Sequence, residues 1–406
     1  MDTFRLSAFW LGAPALSAVF DALEHAGGEV RAVGGAVRNT LMGVPISDVD
    51  LATTLLPDEV IAAARKADLK VVPTGLSHGT VTIVSEGQPF EVTTLREDVA
   101  TDGRHASVSF TTDFARDAAR RDFTINGLYL DRHGNGLDYV GGVDDCEAGR
   151  VRFIGEPQQR ILEDHLRILR FFRFHAGYAT GAPDEPALAA CLALKGQIET
   201  LAAERVQSEF LKILLAPRAA SVLSIMAGAD MMAPFSRQAM NVDAFEALLG
   251  AERRIGRTGT AELLLVALMD FNADAFAALA EALKLPNRMR TRGTAALSAA
   301  AEMPPRSIVH QRSMLYIYGA ETFMDALIIA LARGFMVTEL EGVITEARRW
   351  TRPRFPVGGH DLLHNGGEPG PQLGERLSHL EDLWRDSDFK LGRDALLTID
   401  RERIAG

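Results

Sequence analysis

Gly34-Gly35-Ala36-Val37-Arg38, followed ten residues later by Asp48-Val49-Asp50, is the stretch on which the reading of this chain turns. Val30-Arg31-Ala32-Val33 before it has the composition of a short buried strand, and the two glycines let a backbone turn come close to another group. If Ser47 to Ala52 is also a strand, its period of two puts the Asp48 and Asp50 carboxylates on one face. Two hard oxygen ligands on one face suit Mg²⁺, which takes one or two carboxylates together with substrate phosphates. A glycine turn and an arginine beside a metal-binding carboxylate pair are equipment for a nucleoside triphosphate. Taken singly, each element also has a plain structural reading, a turn or a loop acid, so the order of the blocks that follow matters.

Three further blocks come in sequence. The second is Arg120-Arg121-Asp122-Phe123-Thr124-Ile125-Asn126-Gly127. The third is Glu163-Asp164-His165-Leu166-Arg167-Ile168-Leu169-Arg170-Phe171-Phe172-Arg173-Phe174. The fourth, Glu204-Arg205 with Glu209 and Lys212, lies on a helical pattern. In this order the blocks resemble the bacterial class II CCA-adding tRNA nucleotidyltransferases and the related bacterial poly(A) polymerases, over residues 30 to 215, with a weaker echo at Gly359-His360-Asp361-Leu362-Leu363 and Gly370 to Gly374. Two positions depart from the family pattern: Asn39 where Asp is usual, and Gly127 where Ala is usual.

The resemblance implies an α/β nucleotidyltransferase head of polymerase-beta-like fold, then an all-α neck, body and tail. We place the head at 1–150, the neck with its base-reading helix at 151–217, the body at 218–340 and a tRNA-binding tail at 341–406. It further implies that Asp48 and Asp50 hold Mg²⁺ and that Glu91, on the alternating run Phe90 to Thr94, is a third catalytic carboxylate. Gly35 and Arg38 are expected to grip the triphosphate, Arg121 to contact phosphate or ribose, and Asp122 and Asn126 to shape the sugar pocket. Asp164, Arg167, Arg170 and Arg173 recur every third residue, so on one helix they form a stripe. Such a stripe is ordinarily a salt-bridged solvent face. Beside a nucleotidyltransferase head it becomes a base reader, Asp164 accepting from the exocyclic amine of C or A and Arg167 donating to the same edge, with Arg170 and Arg173 behind.

The expected activity is template-independent addition of C, C and A to the tRNA 3′ end from CTP and ATP. A poly(A) polymerase is the alternative within the superfamily, and a non-catalytic RNA-binding protein the alternative outside it. Thr74 to Val81 resembles the CCA-adding form of its region, and Arg96 to Ala106, with Asp98, Asp102, Gly103, Arg104 and His105, resembles the mobile loop of enzymes that add all three nucleotides.

Composition sets the remaining bounds. The 406 residues, 47% hydrophobic and 24% charged, fit a globular protein of several domains. A formal charge of −11 argues against bulk electrostatic binding of nucleic acid, DNA included, so RNA contact must use local patches such as Arg288 to Arg292 and Arg348 to Arg352. Cys146 and Cys191 have no metal-ligand spacing and suit reduced thiols in a cytoplasmic protein. From about Pro157 the strand signal gives way to Ala/Leu-rich helical patterns; no internal repeat, His-Asp metal signature or run of about 18 apolar residues stands out, so neither a phosphohydrolase domain nor a membrane span is expected.

Overall fold

A computed structural model describes all residues except 74, 102–105, 367 and 406. The expectations for Asp102 to His105, and for Thr74, therefore fall outside the described residues. The chain divides into two compact units, Met1–Val222 and Leu223–Gly406.

The first unit is built on an eight-stranded mixed sheet. Its strands are β1 (Asp2–Arg5), β2 (Val30–Val33), β3 (Asp50–Thr53), β4 (Lys70–Val72), β5 (Thr80–Ser85) and β6 (Gln88–Thr94). The hairpin β7 (Arg96–Thr101) and β8 (Ala106–Phe110) stands apart, and β9 (Leu128–Leu130) and β10 (Asn135–Asp138) return to the sheet. The order is β1-β10-β9-β2-β3-β6-β5-β4, with β3 and β6 parallel and the other pairs antiparallel. Both faces are covered, so Val30, Ala32 and Val33 of β2 are all buried and only Arg31 is part-exposed. Helices α1 (Pro14–His25) and α3 (Pro57–Lys66) pack against each other and the sheet. On the opposite face Phe114 and Ala118 of α4 (Phe114–Ala119) close over Val33, Ala52 and Tyr129. Strand β1 was not anticipated from the sequence.

Between these elements lie α2 (Gly35–Leu41) and α5 (Gly142–Glu147), and after them α6 (Pro157–Glu163), α7 (Arg167–Tyr178), α8 (Glu185–Ala193) and α9 (Ala203–Leu214). An aromatic cluster holds α7 in place: Phe123 lies 4.8 Å from Phe153 and 5.1 Å from Phe174, and Phe153 stacks on Phe171. The Phe-rich third block is thus a core seam on one side and an arginine row on the other.

Helix α10 (Ala219–Gly228) contains the division between units. The second unit is helical: α11 (Val242–Ile255), α12 (Ala261–Leu268), α13 (Ala273–Ala282), α14 (Asn287–Ala300), α15 (Ile308–Ala332), α16 (Leu340–Arg349), α17 (Gly359–His364), α18 (Pro371–Asp386) and α19 (Arg393–Ala405). The Ala/Leu-rich stretch 260–280 forms two helices, α12 and α13, because Asp270 and Phe271 adopt φ of 53° and 55°. α15, although interrupted by Arg312, Glu321 and Asp325, is long and apolar enough by length and composition to cross a membrane. Its 61% burial within the protein and its break at Gly319 (φ 78°) are those of a core helix, which passes the same test of length and composition.

Arg292 is also not the exposed cation expected of it. It binds the buried Asp325 (2.8 Å) and lies within ion-pair reach of Glu262 and Glu321. Nearby, Glu252 is 3% exposed, and a Cβ on Gly259 would meet its Oε2 at 2.4 Å. Burial, with Asp325 adding to it against Arg257, pushes the Glu252 carboxyl up to about 7. The folded state therefore keeps this proton between about pH 4.5 and 7, where the unfolded chain has released it, so stability falls as pH rises through that window. Glu252→Gln is expected to remove that decline, raising stability at pH 8 by on the order of 3 kcal/mol and the thermal midpoint with it. Parallel melting curves for parent and variant from pH 5 to 8 would show the assignment to be wrong.

Candidate active site

The carboxylates meet at the β3–β6 junction. Leu51 pairs with Val92 in parallel register and both are fully buried, so the residues one step back, Asp50 and Glu91, share the opposite face. Asp48 is not on the strand. β2 ends at Val33 because Gly34 turns the chain at φ 67°, so the residues before Asp50 have no ladder partner on that side. Pro45, which lacks an N–H, further breaks the extended run. Asp48 instead sits at the end of a loop, where its carboxylate accepts from the Ser47 hydroxyl.

The three acids still act on one another. Burial, then Asp48 and Glu91, push the Asp50 carboxyl up to about 6 against the opposing pull of Arg121. Among the described residues, no three His, Cys, Asp or Glu side chains form a ready-made metal cage. A carboxylate pair short of positive charge nevertheless fits Mg²⁺, which completes its shell with phosphate oxygens and water.

Arg121 is the cation held against this group. Its Nη1 lies 3.7 Å from where a Cβ on Gly34 would stand. Its Nε donates to Tyr129 Oη (3.2 Å) and its Nη2 to Asp117 Oδ2 (3.0 Å); Tyr129 donates to the same Oδ2 (2.7 Å), and Arg120 to Asp117 Oδ1 (2.8 Å). Burial alone would raise the Asp117 carboxyl, but Arg121, Arg120 and the Tyr129 hydroxyl hold it at about 2. The i,i+3 and i,i+4 spacing of Asp117 to Arg120 and Arg121 was visible in the sequence. Tyr129 carried no such signal.

Arg38 is placed differently from the expectation. It is 6% exposed and wholly engaged by neutral oxygens: Asn126 Oδ1, Asn39 Oδ1 (3.1 and 2.9 Å) and Tyr178 Oη (2.7 Å). Desolvation lowers its pKa, with Tyr178 opposing. Asn126 donates onward to Asp122 (2.9 Å), and Asp122 accepts from Arg170 (2.8 Å). Asn39 reaches the other way, donating to Pro45 O (2.7 Å) in the loop that leads to Asp48. The other departure has a packing reason: a Cβ on Gly127 would meet Val140 Cγ2 at 2.8 Å.

The third block does not form one stripe. α6 ends at Glu163, Asp164 is extended (φ −152°, ψ 108°), and α7 starts at Arg167. Asp164 and Arg167 are not paired: Asp164 accepts from Arg205 (2.9 Å), while Arg167 donates to Glu163 (2.5 Å) and Arg160 O (2.8 Å). Arg173 lies 2.8 Å from buried Glu209. The fourth block is thus the counterpart of the third. Arg160, also unanticipated, clamps the backbone carbonyls of Arg120 and Arg121.

Asp117→Asn is expected to destabilise the first unit by about 3–5 kcal/mol, because it strips the shared counter-charge from two arginines in a buried setting. Urea unfolding reads this, and an unshifted midpoint would show that the arginines have other sufficient partners.

Comparison with known proteins places this geometry. A model described as Poly A polymerase head domain matches residues 30–152, and one described as Probable RNA and SrmB- binding site of polymerase A matches 182–240. The chain is 33% identical over 377 residues to CCA tRNA nucleotidyltransferase 1, mitochondrial, of Danio rerio, covering 91% of this chain and 86% of that one. It is 31% identical over 376 residues to the CCA-adding enzyme of Levilactobacillus brevis, covering 89% and 91%. Its fold is similar to that of the Bacillus stearothermophilus CCA-adding enzyme in complex with CTP (TM-score 0.78, 26% identity, 97% and 98% covered).

Proposed function

This chain belongs to the CCA tRNA nucleotidyltransferase family, and we propose that its head adds C, C and A to the tRNA 3′ end from CTP and ATP, releasing pyrophosphate, with divalent metal held by Asp48 and Asp50. The observation that carries the reading is the crowding of Asp48, Asp50 and Glu91 beside Arg121 and the Gly34 turn. A carboxylate whose burial and acidic neighbours push its pKa up, as Asp48 and Glu91 do to Asp50, makes a site that a cation stabilises. Mg²⁺ bound there supplies Lewis acidity, lowering the pKa of the RNA 3′-hydroxyl and neutralising charge on the α-phosphate.

The protein's own groups do the rest. Glu91 extends the anionic surface on the same face as Asp50. Arg121, its guanidinium fixed by Asp117 and Tyr129, offers Nη1 to a phosphate beside the turn, where Gly35 lets the backbone approach closely. Asp122 and Asn126 border the sugar, and Arg38 supports the turn from within. Asp164 and Arg167 read the base edge. Arg205 and Glu163 occupy these two groups in the structure, so the incoming C or A takes over their hydrogen bonds. G and U present the reverse donor and acceptor pattern and leave the pair unsatisfied. Arg170 and Arg173 stabilise this helix through Asp122 and Glu209. Exposed Arg288, Arg290, Arg349 and Arg352 in the second unit are available to tRNA phosphates. Free, buried Cys146 and Cys191 suit work in the cytoplasm.

The decisive assay offers tRNA lacking its 3′ end with labelled CTP and ATP and sequences the product. Asp48→Ala or Asp50→Ala is expected to lower incorporation of both nucleotides by on the order of a thousandfold or more while tRNA binding persists. Near-parental turnover with Mg²⁺ present would remove the metal assignment. Arg167→Ala is expected to narrow the preference for CTP and ATP over UTP and GTP by about tenfold. A uniform slowing of all four nucleotides would move base reading elsewhere.

A further inference from the structure

Helix α7 is tied to the glycine turn at two points. Near its N-terminal half, Arg170 binds Asp122, Asp122 binds Asn126, and Asn126 binds Arg38. At its last residue, Tyr178 binds Arg38 directly: the hydroxyl accepts from Nη2 at 2.7 Å and the ring centre lies 4.0 Å from the guanidinium carbon. Phe174, one turn earlier, stacks on Tyr178 at 5.7 Å and also faces Arg38, at 5.2 Å. Arg38 stands close under the turn, its Nη2 3.8 Å from the position of a Cβ on Gly35. Arg170 and Tyr178 are eight residues apart, roughly 12 Å along the helix. Two ties at that separation fix the helix against both sliding and rotation.

The N-terminal end of the same helix carries Arg167, with Asp164 just before it. The Arg38 contacts, together with the aromatic cluster that packs α7, therefore set the distance from the phosphate-side turn to the base-side pair, and among the described residues Tyr178 is the aromatic that makes both a hydrogen bond and a stacking contact to Arg38.

We propose that Tyr178, by stapling α7 to Arg38 under the glycine turn, is a positioning residue for base selection: it holds Asp164 and Arg167 at the depth where a C or A edge can be bonded. This rests on the reading of Asp164 and Arg167 as the base-contacting pair. The consequence is specific. A loosened helix lets the pair retreat or tilt, so the wrong bases gain relative to the right ones even when the phosphate side and the carboxylates are intact. A merely structural role lowers the fraction of folded enzyme, which scales all four nucleotides alike and cancels in their ratio.

The test measures single-nucleotide kcat/KM for CTP, ATP, UTP and GTP on the matching tRNA ends, with full-length enzyme. Tyr178→Phe keeps the ring and loses one hydrogen bond; it is expected to lower the ratio of correct to incorrect nucleotide by about threefold. Tyr178→Leu loses the stacking contact as well, and is expected to lower the ratio by about tenfold. An unchanged ratio in the Phe variant overturns the proposal without recourse to the Leu variant, whatever the latter's folding. Arg167→Ala in the same assay separates the two levels. If it loses selectivity and Tyr178→Phe does not, the staple is structural and the base reader stands. If Arg167→Ala keeps full selectivity, the base-reading assignment falls and this proposal with it.

Discussion

The first unit depends on burying the Arg38 guanidinium among neutral oxygens. A buried cation without a carboxylate partner is costly unless each N–H finds an acceptor. Here Asn39, Asn126 and Tyr178 supply acceptors from α2, from the second block and from α7, so satisfying one side chain draws three segments together. The unusual Asn39 belongs to this solution. Its carbonyl oxygen serves Arg38 while its amide donates to Pro45 O, which an aspartate at this position has no N–H to do. The same residue thus serves the buried cation and anchors the loop that delivers Asp48.

Arginines in this chain are mostly structural. With a net charge of −11, the arginine-rich blocks are where a sequence reader looks for nucleic-acid contact. Yet Arg160, Arg167 and Arg170 are spent on Glu163 and Asp122, Arg173 stands against Glu209, and Arg292 on Asp325. Arg121 is likewise paired, with Asp117, yet stands against the carboxylate group, where it is the proposed phosphate contact. These pairings also mean that a base reading by Asp164 and Arg167 exchanges protein partners for nucleotide partners rather than filling empty valences. Such an exchange favours selectivity, because a base that cannot match the displaced bonds loses to the protein's own groups.

What the sequence disclosed follows the range of each interaction. Local signals were legible: the strand Val30–Val33, the glycine turn after it and the strand carrying Glu91 all lie where their residues predict. Order of blocks disclosed the family. What failed was tertiary. The strand expected from Ser47 begins at Asp50 because its partner strand ends at Val33, a fact of pairing and not of propensity. The arginine stripe breaks because α6 and α7 are separate helices, although i,i+3 spacing is the same whether or not a helix continues through it. Tyr178 meets Arg38 across 140 positions, and no pattern in a single sequence encodes that pair.

The carboxylate group and the Arg38 network then describe one design from two sides. Asp48 and Glu91 are held close enough to Asp50 to destabilise its charge, with Arg121 nearby as the opposing cation, and a metal and a triphosphate bound as proposed would satisfy such a site. Such strain is useful only if the frame does not relax it. β3 and β6 fix Asp50 and Glu91 through a fully buried Leu51–Val92 pair, and Asn39 fixes the loop before Asp48. The rigid part of the head is therefore the part that keeps like charges together, and α7, the proposed base-reading helix, is fastened to that same part through Arg38. With Asp164 and Arg167 reading the base as proposed, catalysis and selection share one anchor, and a nucleotide with the right phosphates and the wrong base would meet a helix that cannot shift to accommodate it.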